Sequence, residues 1–150
     1  VLHFSTAVEV LRAGIMTFVN QVAEIVHGVV NEYHGAINKN NGDSFLIMWR
    51  LNPEEHQVTL RMADMSLLAF AKILSAVHRS SILARYRRHP GLQQRLQLSA
   101  RVDLTFGLHS GWAIEGAVGS EYKIDASYLS PNVSLAASLE NLANRVYNVP

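Results

Sequence analysis

Three stretches of this 150-residue sequence combine residue types that could handle a charged ligand. The first is Asn38-Lys39-Asn40-Asn41-Gly42-Asp43, a lysine and a carboxylate on either side of a tight turn. A carboxylate placed there could serve a hard cation. Mg²⁺ takes one or two protein carboxylates and leaves the rest of its shell to water and phosphate oxygens. The second is Phe106-Gly107-Leu108-His109-Ser110-Gly111 with Glu115-Gly116-Ala117-Val118-Gly119 behind it, whose glycines admit a ligand or another backbone. The third runs from Asp125 to Glu140, a polar loop entering a helix whose N-terminus could hold a phosphate without basic residues. Each stretch also has a plainer reading: turn chemistry, a glycine-rich hairpin, and an ordinarily capped helix. Taken singly, the plainer reading wins in each case.

Other arrangements are weaker still. The seven histidines show no His-x-x-x-His spacing, and His27 and His34 alone make an incomplete metal site. Ser110 does not lie in a Gly-x-Ser-x-Gly elbow. The basic cluster Arg85-Tyr86-Arg87-Arg88-His89 reads as a solvated helix end stopped by Pro90-Gly91.

The elements that must position these stretches follow from periodicity. Leu11, Ile15, Phe18, Val22, Ile25, Val29 and Tyr33 recur at three and four, which predicts one long helix started by Ser5-Thr6 and stopped by Gly35. Asn41-Gly42 predicts a type I′ turn between strands 36–40 and 45–49, the second an apolar run buried on both faces. Asn52-Pro53-Glu54-Glu55 opens a second helix whose stripe includes Met62, Met65, Leu68 and Phe70 and ends near Val77. Strict alternation predicts a strand over 101–108, a turn at Ser110-Gly111, and a returning strand over 112–118. A polar loop over 120–130 then leads to a helix capped by Ser130, with Pro131 first and Val133, Ala136, Leu139 and Leu142 inward. Helices alternating with antiparallel pairs predict an α+β fold, with helices on a mostly antiparallel sheet in the ferredoxin-like split βαβ pattern. No linker or repeat interrupts the chain, so 1–150 reads as one domain.

Composition bounds the rest. With 49% hydrophobic and 17% charged residues the chain is not disordered. A net charge of +1 gives no warrant for nucleic acid or an anionic membrane as main partner. The absence of cysteine excludes disulfides, thiolate metal sites and thiol catalysis. No stretch reads as a bilayer span or a signal peptide. Both ends read as cuts, because the chain opens at Val1 without Met and stops at Asn148-Val149-Pro150 where further strands are expected.

In this order and spacing the three stretches resemble the catalytic domain of class III adenylate/guanylate cyclases, over nearly the whole chain. The run Gly119-Ser120-Glu121-Tyr122-Lys123-Ile124-Asp125-Ala126-Ser127-Tyr128-Leu129-Ser130-Pro131-Asn132-Val133 is similar to the form found in protist and algal members. The resemblance implies attack of a ribose 3′-hydroxyl on the α-phosphorus of a nucleoside triphosphate, with pyrophosphate leaving and Mg²⁺ or Mn²⁺ assisting. It implies sites at the interface of two cyclase domains, so the expected partner is a second such domain, in a homo- or heterodimer.

Residue by residue, the resemblance puts Asp43 on the second metal-binding aspartate. The first would fall just before Val1, because Phe4-Ser5 matches the pair that follows it. Lys39 falls on the base-selecting position, where lysine goes with adenine, and Ser127 on its base-reading partner. The implied substrate is ATP and the product cyclic AMP. Ser134 and Ser138 occupy the family's Asn and Arg positions, which orient the ribose and stabilise the transition state. Loss of one preorganised donor costs about 3–4 kcal/mol, or a hundredfold to thousandfold in rate. One expectation is therefore a metal-bearing half that needs a partner half to supply Asn and Arg. The alternative is a catalytically degenerate domain kept for dimerisation, nucleotide sensing or a structural role. Either is expected in the cytoplasm, without nucleic acid and without membrane contact by this segment, whatever a longer parent chain carries.

Overall fold

A computed structural model describes residues 1–147 apart from Pro53, Glu55, Leu98 and Ser99. The helix-opening signal at Pro53 and Glu55 and the chain end at 148–150 lie outside the described residues. Helices and antiparallel strands alternate along the chain, so the α+β class holds. By its internal contacts the chain divides into two compact units, Val1–Leu104 and Thr105–Pro150.

In the first unit the expected single long helix is two helices. α1 spans Phe4–Leu11 and α2 spans Ile15–Glu32, joined by a 3-10 turn at Arg12–Gly14. The break has a backbone cause: Arg12 takes a φ of 50°, which no right-handed helix tolerates. Phe18, Val22, Val26 and Val30 form the buried side of α2, packed against α3, His56–Arg79. The inward stripe of α3 is Ser66, Ala69, Ile73 and Val77, whereas Leu67 and Leu68 are exposed. Truncating Ile73 or Val26 would cost about 2–4 kcal/mol, from lost transfer energy and the cavity left behind.

Phe4–Glu32 corrects the expectation that no stretch has bilayer-spanning length, by length and composition alone. Its buried side chains pack against α3 and, through Ala7, against α5, as those of a core helix do.

The helix stop also differs from expectation. His34, not Gly35, takes the left-handed conformation, at φ 60°. Gly35 is there for space: a β-carbon on it would stand 2.7 Å from Val30 Cγ1 and 2.8 Å from the Trp49 ring. The Trp49 indole N–H in turn donates to Tyr33 O at 3.0 Å, satisfying a carbonyl at the helix end. That bond ties α2 to the first hairpin, β1 Ala36–Asn40 and β2 Phe45–Met48. β2 is half-buried throughout, not buried on both faces.

Beyond α3 the chain makes a short α4, Ala84–Arg87, and α5, Pro90–Leu96. Pro90 does not merely stop a helix. It sits at the first position of α5, where its missing N–H costs nothing. α5 closes on α1 through Ala7, Leu92 and Ala100, with Val10, Leu11 and Tyr86 around them.

The strand expected over 101–108 does not form. Val102, Asp103 and Leu104 are buried and Leu2 N–H donates to Asp103 O at 3.0 Å, but the segment has no ladder. Its expected partner is taken: β3, Ile114–Ser120, pairs with β4, Lys123–Leu129, in the stretch expected to be a loop. Alternation reports a half-buried extended segment but does not choose its neighbour. α6, Pro131–Tyr147, completes the second unit. Leu139 and Leu142 on its expected inner face are 43% and 53% exposed.

Candidate functional site

The first cluster is built by the β1–β2 hairpin. Asn40 opposes Phe45, so the connection is the four residues Asn41–Ser44 rather than a two-residue turn. A type I′ turn needs positive φ at both central positions. Only Gly42 provides it, at φ 90°. Asn40 Oδ1 accepts from Gly42 N–H at 2.9 Å and Asn41 N–H donates to Ser44 O at 2.9 Å, closing the loop by side-chain and backbone bonds. A register shift between Ile37 and Lys39 places Lys39 opposite Leu46.

Lys39 and Asp43 are both exposed on this hairpin. Asp43 Oδ1 accepts a hydrogen bond from Ser44 Oγ at 3.1 Å. The Val1 nitrogen donates to Asp43 O at 2.7 Å. Asp43 is one hard carboxylate, reachable from solvent, which fits the protein's share of a Mg²⁺ or Mn²⁺ shell. Among the described residues no group of three or more His, Asp or Glu forms a fuller cage.

The second unit joins the other two stretches. A β-carbon on Gly107 would stand 2.1 Å from Ala136 O, and one on Gly111 2.4 Å from the Asn132 side chain. These glycines are therefore demanded by the approach of α6. Asn132 is the centre of the contact. Its Nδ2 donates to Trp112 O at 2.9 Å, and its Oδ1 lies 3.0 Å from His109 Nε2. Ser130 Oγ accepts from Asn132 N–H at 3.0 Å and donates to Trp112 O at 2.6 Å, so the expected cap of α6 is present. Thr105 Oγ1 and Glu140 Oε1 close the same face one turn and more further on. Sequence reasoning singled out these segments but missed Asn132 as their hub. The signal was Asn at the second position of a helix whose facing loop is glycine-rich.

Ser127 is buried on β4, opposite Gly116. Asp125, two residues before it, pairs with Lys123 at 3.1 Å on an exposed edge. Ser134 and Ser138 are exposed on α6, and Ser138 Oγ donates to Ser134 O at 2.9 Å, the usual back-bond of a helical serine. Lys39 and Asp43 thus share one hairpin of the first unit, and Ser127, Ser134 and Ser138 lie on adjoining elements of the second.

Comparison with solved structures decides the fold. A bacterial light-regulated adenylyl cyclase superposes with a TM-score of 0.68 at 27% identity, over 97% of this chain and 67% of its own. The fold is cyclase-like. A second structure of a bacterial light-regulated adenylyl cyclase gives the same score and identity over 95% of this chain. Against that second structure the chain spans 37% of the length, so the cyclase-like fold is one part of a larger protein there. No family model and no curated protein matches the sequence.

Proposed function

We propose that this cyclase-like domain converts ATP to cyclic AMP and pyrophosphate as one half of a dimer, with the other half supplying the Asn and Arg it lacks. The observation that carries this reading is the first hairpin: one lysine and one unpaired-by-cation carboxylate, exposed together, on a fold whose solved neighbours are adenylyl cyclases.

In the reaction the ribose O3′ forms a bond to the α-phosphorus, and the bond from that phosphorus to the β-bridging oxygen breaks. The 3′-hydroxyl proton goes to solvent and pyrophosphate carries away the electron pair. Asp43 is the carboxylate that would hold a divalent cation, and Ser44 Oγ orients that carboxylate through its hydrogen bond. A cation held there would supply activation of the hydroxyl and neutralisation of phosphate charge. Lys39, exposed on the hairpin, offers a donor to an acceptor on the base. Neither Ser134 nor Ser138 carries a charge, so this half stabilises the negative charge developing on the phosphorus poorly.

The test is turnover of ATP by the purified domain alone and mixed with a cyclase domain that carries Asn and Arg but lacks the metal aspartates, with cyclic AMP measured by mass spectrometry. Turnover that needs the mixture, needs Mg²⁺ or Mn²⁺, and falls at least a hundredfold in Asp43→Ala supports the reading. Full activity of the domain alone, or none in any mixture, rejects it.

The second reading is a domain that binds nucleotide without turning it over. The serine pair favours it, because Ser138 already has a partner in Ser134 O and neither hydroxyl replaces a guanidinium. It is distinguished by nucleotide binding in calorimetry with no product in any mixture.

A further inference from the structure

The net charge of +1 hides a segregation. Between Asp64 and Asp103 lie seven of the thirteen lysines and arginines and none of the twelve acids. All seven are exposed. Arg95 pairs with Glu9 and Arg101 with Asp103, but Arg79, Arg87 and Arg88 have no carboxylate partner among the described residues.

The fold arranges the middle of this segment. Backbone bonds three residues apart recur there: Arg85 N–H to Ile82 O, Tyr86 to Leu83, Arg88 to Arg85 and His89 to Tyr86. Bonds of that spacing stack side chains at i and i+3 in rows. One row, Ser80, Leu83, Tyr86 and His89, is buried or half-buried. It is fixed by the Tyr86 hydroxyl on Gln21 Oε1 at 2.8 Å and by the edge of Phe18 at 4.8 Å. The next row, Ile82, Arg85 and Arg88, is exposed from end to end together with Arg79 at the end of α3. Together they carry three guanidiniums and an isoleucine that is 48% exposed, with Arg87 beside them.

We propose that this row is a docking surface for an anionic lipid membrane. Three features fit that occupant. The arginines face a surface of negative headgroups. Ile82 stands among them, where an apolar side chain enters the interface between headgroup and acyl chain. The remainder of the chain holds all twelve acids against six of the lysines and arginines, so a negative surface attracts this segment more than the rest. The row is held before contact by Leu83 and Tyr86, so docking orders little further backbone. The surface stands whether or not the domain turns over ATP, because it uses no residue placed in the nucleotide site.

The experiment is co-sedimentation of the whole chain with phosphatidylcholine vesicles, with and without about a third phosphatidylserine. Each basic residue near such a surface contributes on the order of fivefold in partition. The expected result is binding to the anionic vesicles alone, lost at high salt. Arg79→Glu/Arg88→Glu should reduce it at least twentyfold and Ile82→Ser severalfold, with unchanged circular dichroism. Arg61→Glu, far along α3, should change it less than either. No binding to anionic vesicles, equal binding by the double variant, or binding unaffected by Ile82→Ser overturns the proposal. So does tighter binding to a short single-stranded RNA or to polyglutamate, which would make the row a site for those polymers.

Discussion

Gly107 faces the carbonyl of Ala136 with no room between them for a side chain. A β-carbon there would meet that oxygen at 2.1 Å and the Glu140 nitrogen at 2.6 Å, both backbone atoms of a helix. Neither can swing aside as a side-chain tip would. Gly107→Ala should therefore lower the stability of the folded chain by at least about 2 kcal/mol, as overpacking against fixed backbone does. Gly116→Ala is the control, since a β-carbon there meets nothing within 4 Å. It should change stability by about 0.5 kcal/mol or less. Urea unfolding of the two variants checks the contrast.

Asp103 is a buried carboxylate between the exposed His78 ring and the exposed Arg101 guanidinium. Its Oδ1 lies 3.0 Å from His78 Nε2 and its Oδ2 accepts from Arg101 Nε at 2.6 Å. Its own carbonyl accepts from Leu2 N–H, so the residue ties α3, the 101–104 segment and the start of the chain together. Asp103→Ala should cost about 2 kcal/mol, because His78 and Arg101 lose their shared carboxylate while the carbonyl that holds Leu2 remains. His78→Ala should cost about 1 kcal/mol or less, since its ring is exposed enough for water to replace the bond. Equal losses in denaturant unfolding would contradict this account.

Tyr86 sets an alkaline limit on stability. Burial raises its hydroxyl above the ordinary value of 10.0, with the Arg85 charge pulling part of the way back. The folded state thus holds the proton more tightly than the unfolded state does. Its contribution is fully present below about pH 10 and is lost as pH rises through the higher folded value. Tyr86→Phe should lose about 1 kcal/mol at neutral pH, the worth of the bond to Gln21. Above pH 10 its stability should fall less steeply than that of the parent. Unfolding midpoints from pH 8 to 11 measure both effects.

What was legible in the sequence, and what was not, divides along physical lines. The helices α2, α3 and α6, the first hairpin and the Ser130 cap were legible because each is set by local periodicity or local bonding. The break at Arg12 was not, because a positive φ on arginine leaves no mark in composition or periodicity. The pairing of β3 was misassigned because the polar stretch 123–129 reads as a loop, and only three-dimensional contact shows that it, not 101–108, pairs with β3. The site was legible as segments. Asn132 as the link between Gly111, Trp112 and His109 was not, because those residues are 20 or so positions away along the chain. Net charge leaves the distribution of charge open, since a sum of +1 says nothing about where the charges stand.

Ser134 and Ser138 give the sharpest test of the nucleotide site. Both are exposed, and their one recorded bond is local, from Ser138 Oγ to Ser134 O. Replacing them removes no packing, so Ser134→Asn/Ser138→Arg should fold with stability within about 0.5 kcal/mol of the parent. The substitutions add an amide and a guanidinium four residues apart, one above the other on the same helical face. If the serines alone silence this half, the double variant should gain ATP turnover on its own of at least a hundredfold, since each restored donor is worth about 3–4 kcal/mol. Ser138→Arg alone should recover part of that gain, and Asp43→Ala in the double variant should abolish it. Cyclic AMP formation by the purified variants, with metal supplied, is the measurement. A well-folded double variant with no turnover would place the deficiency elsewhere and favour the binding reading.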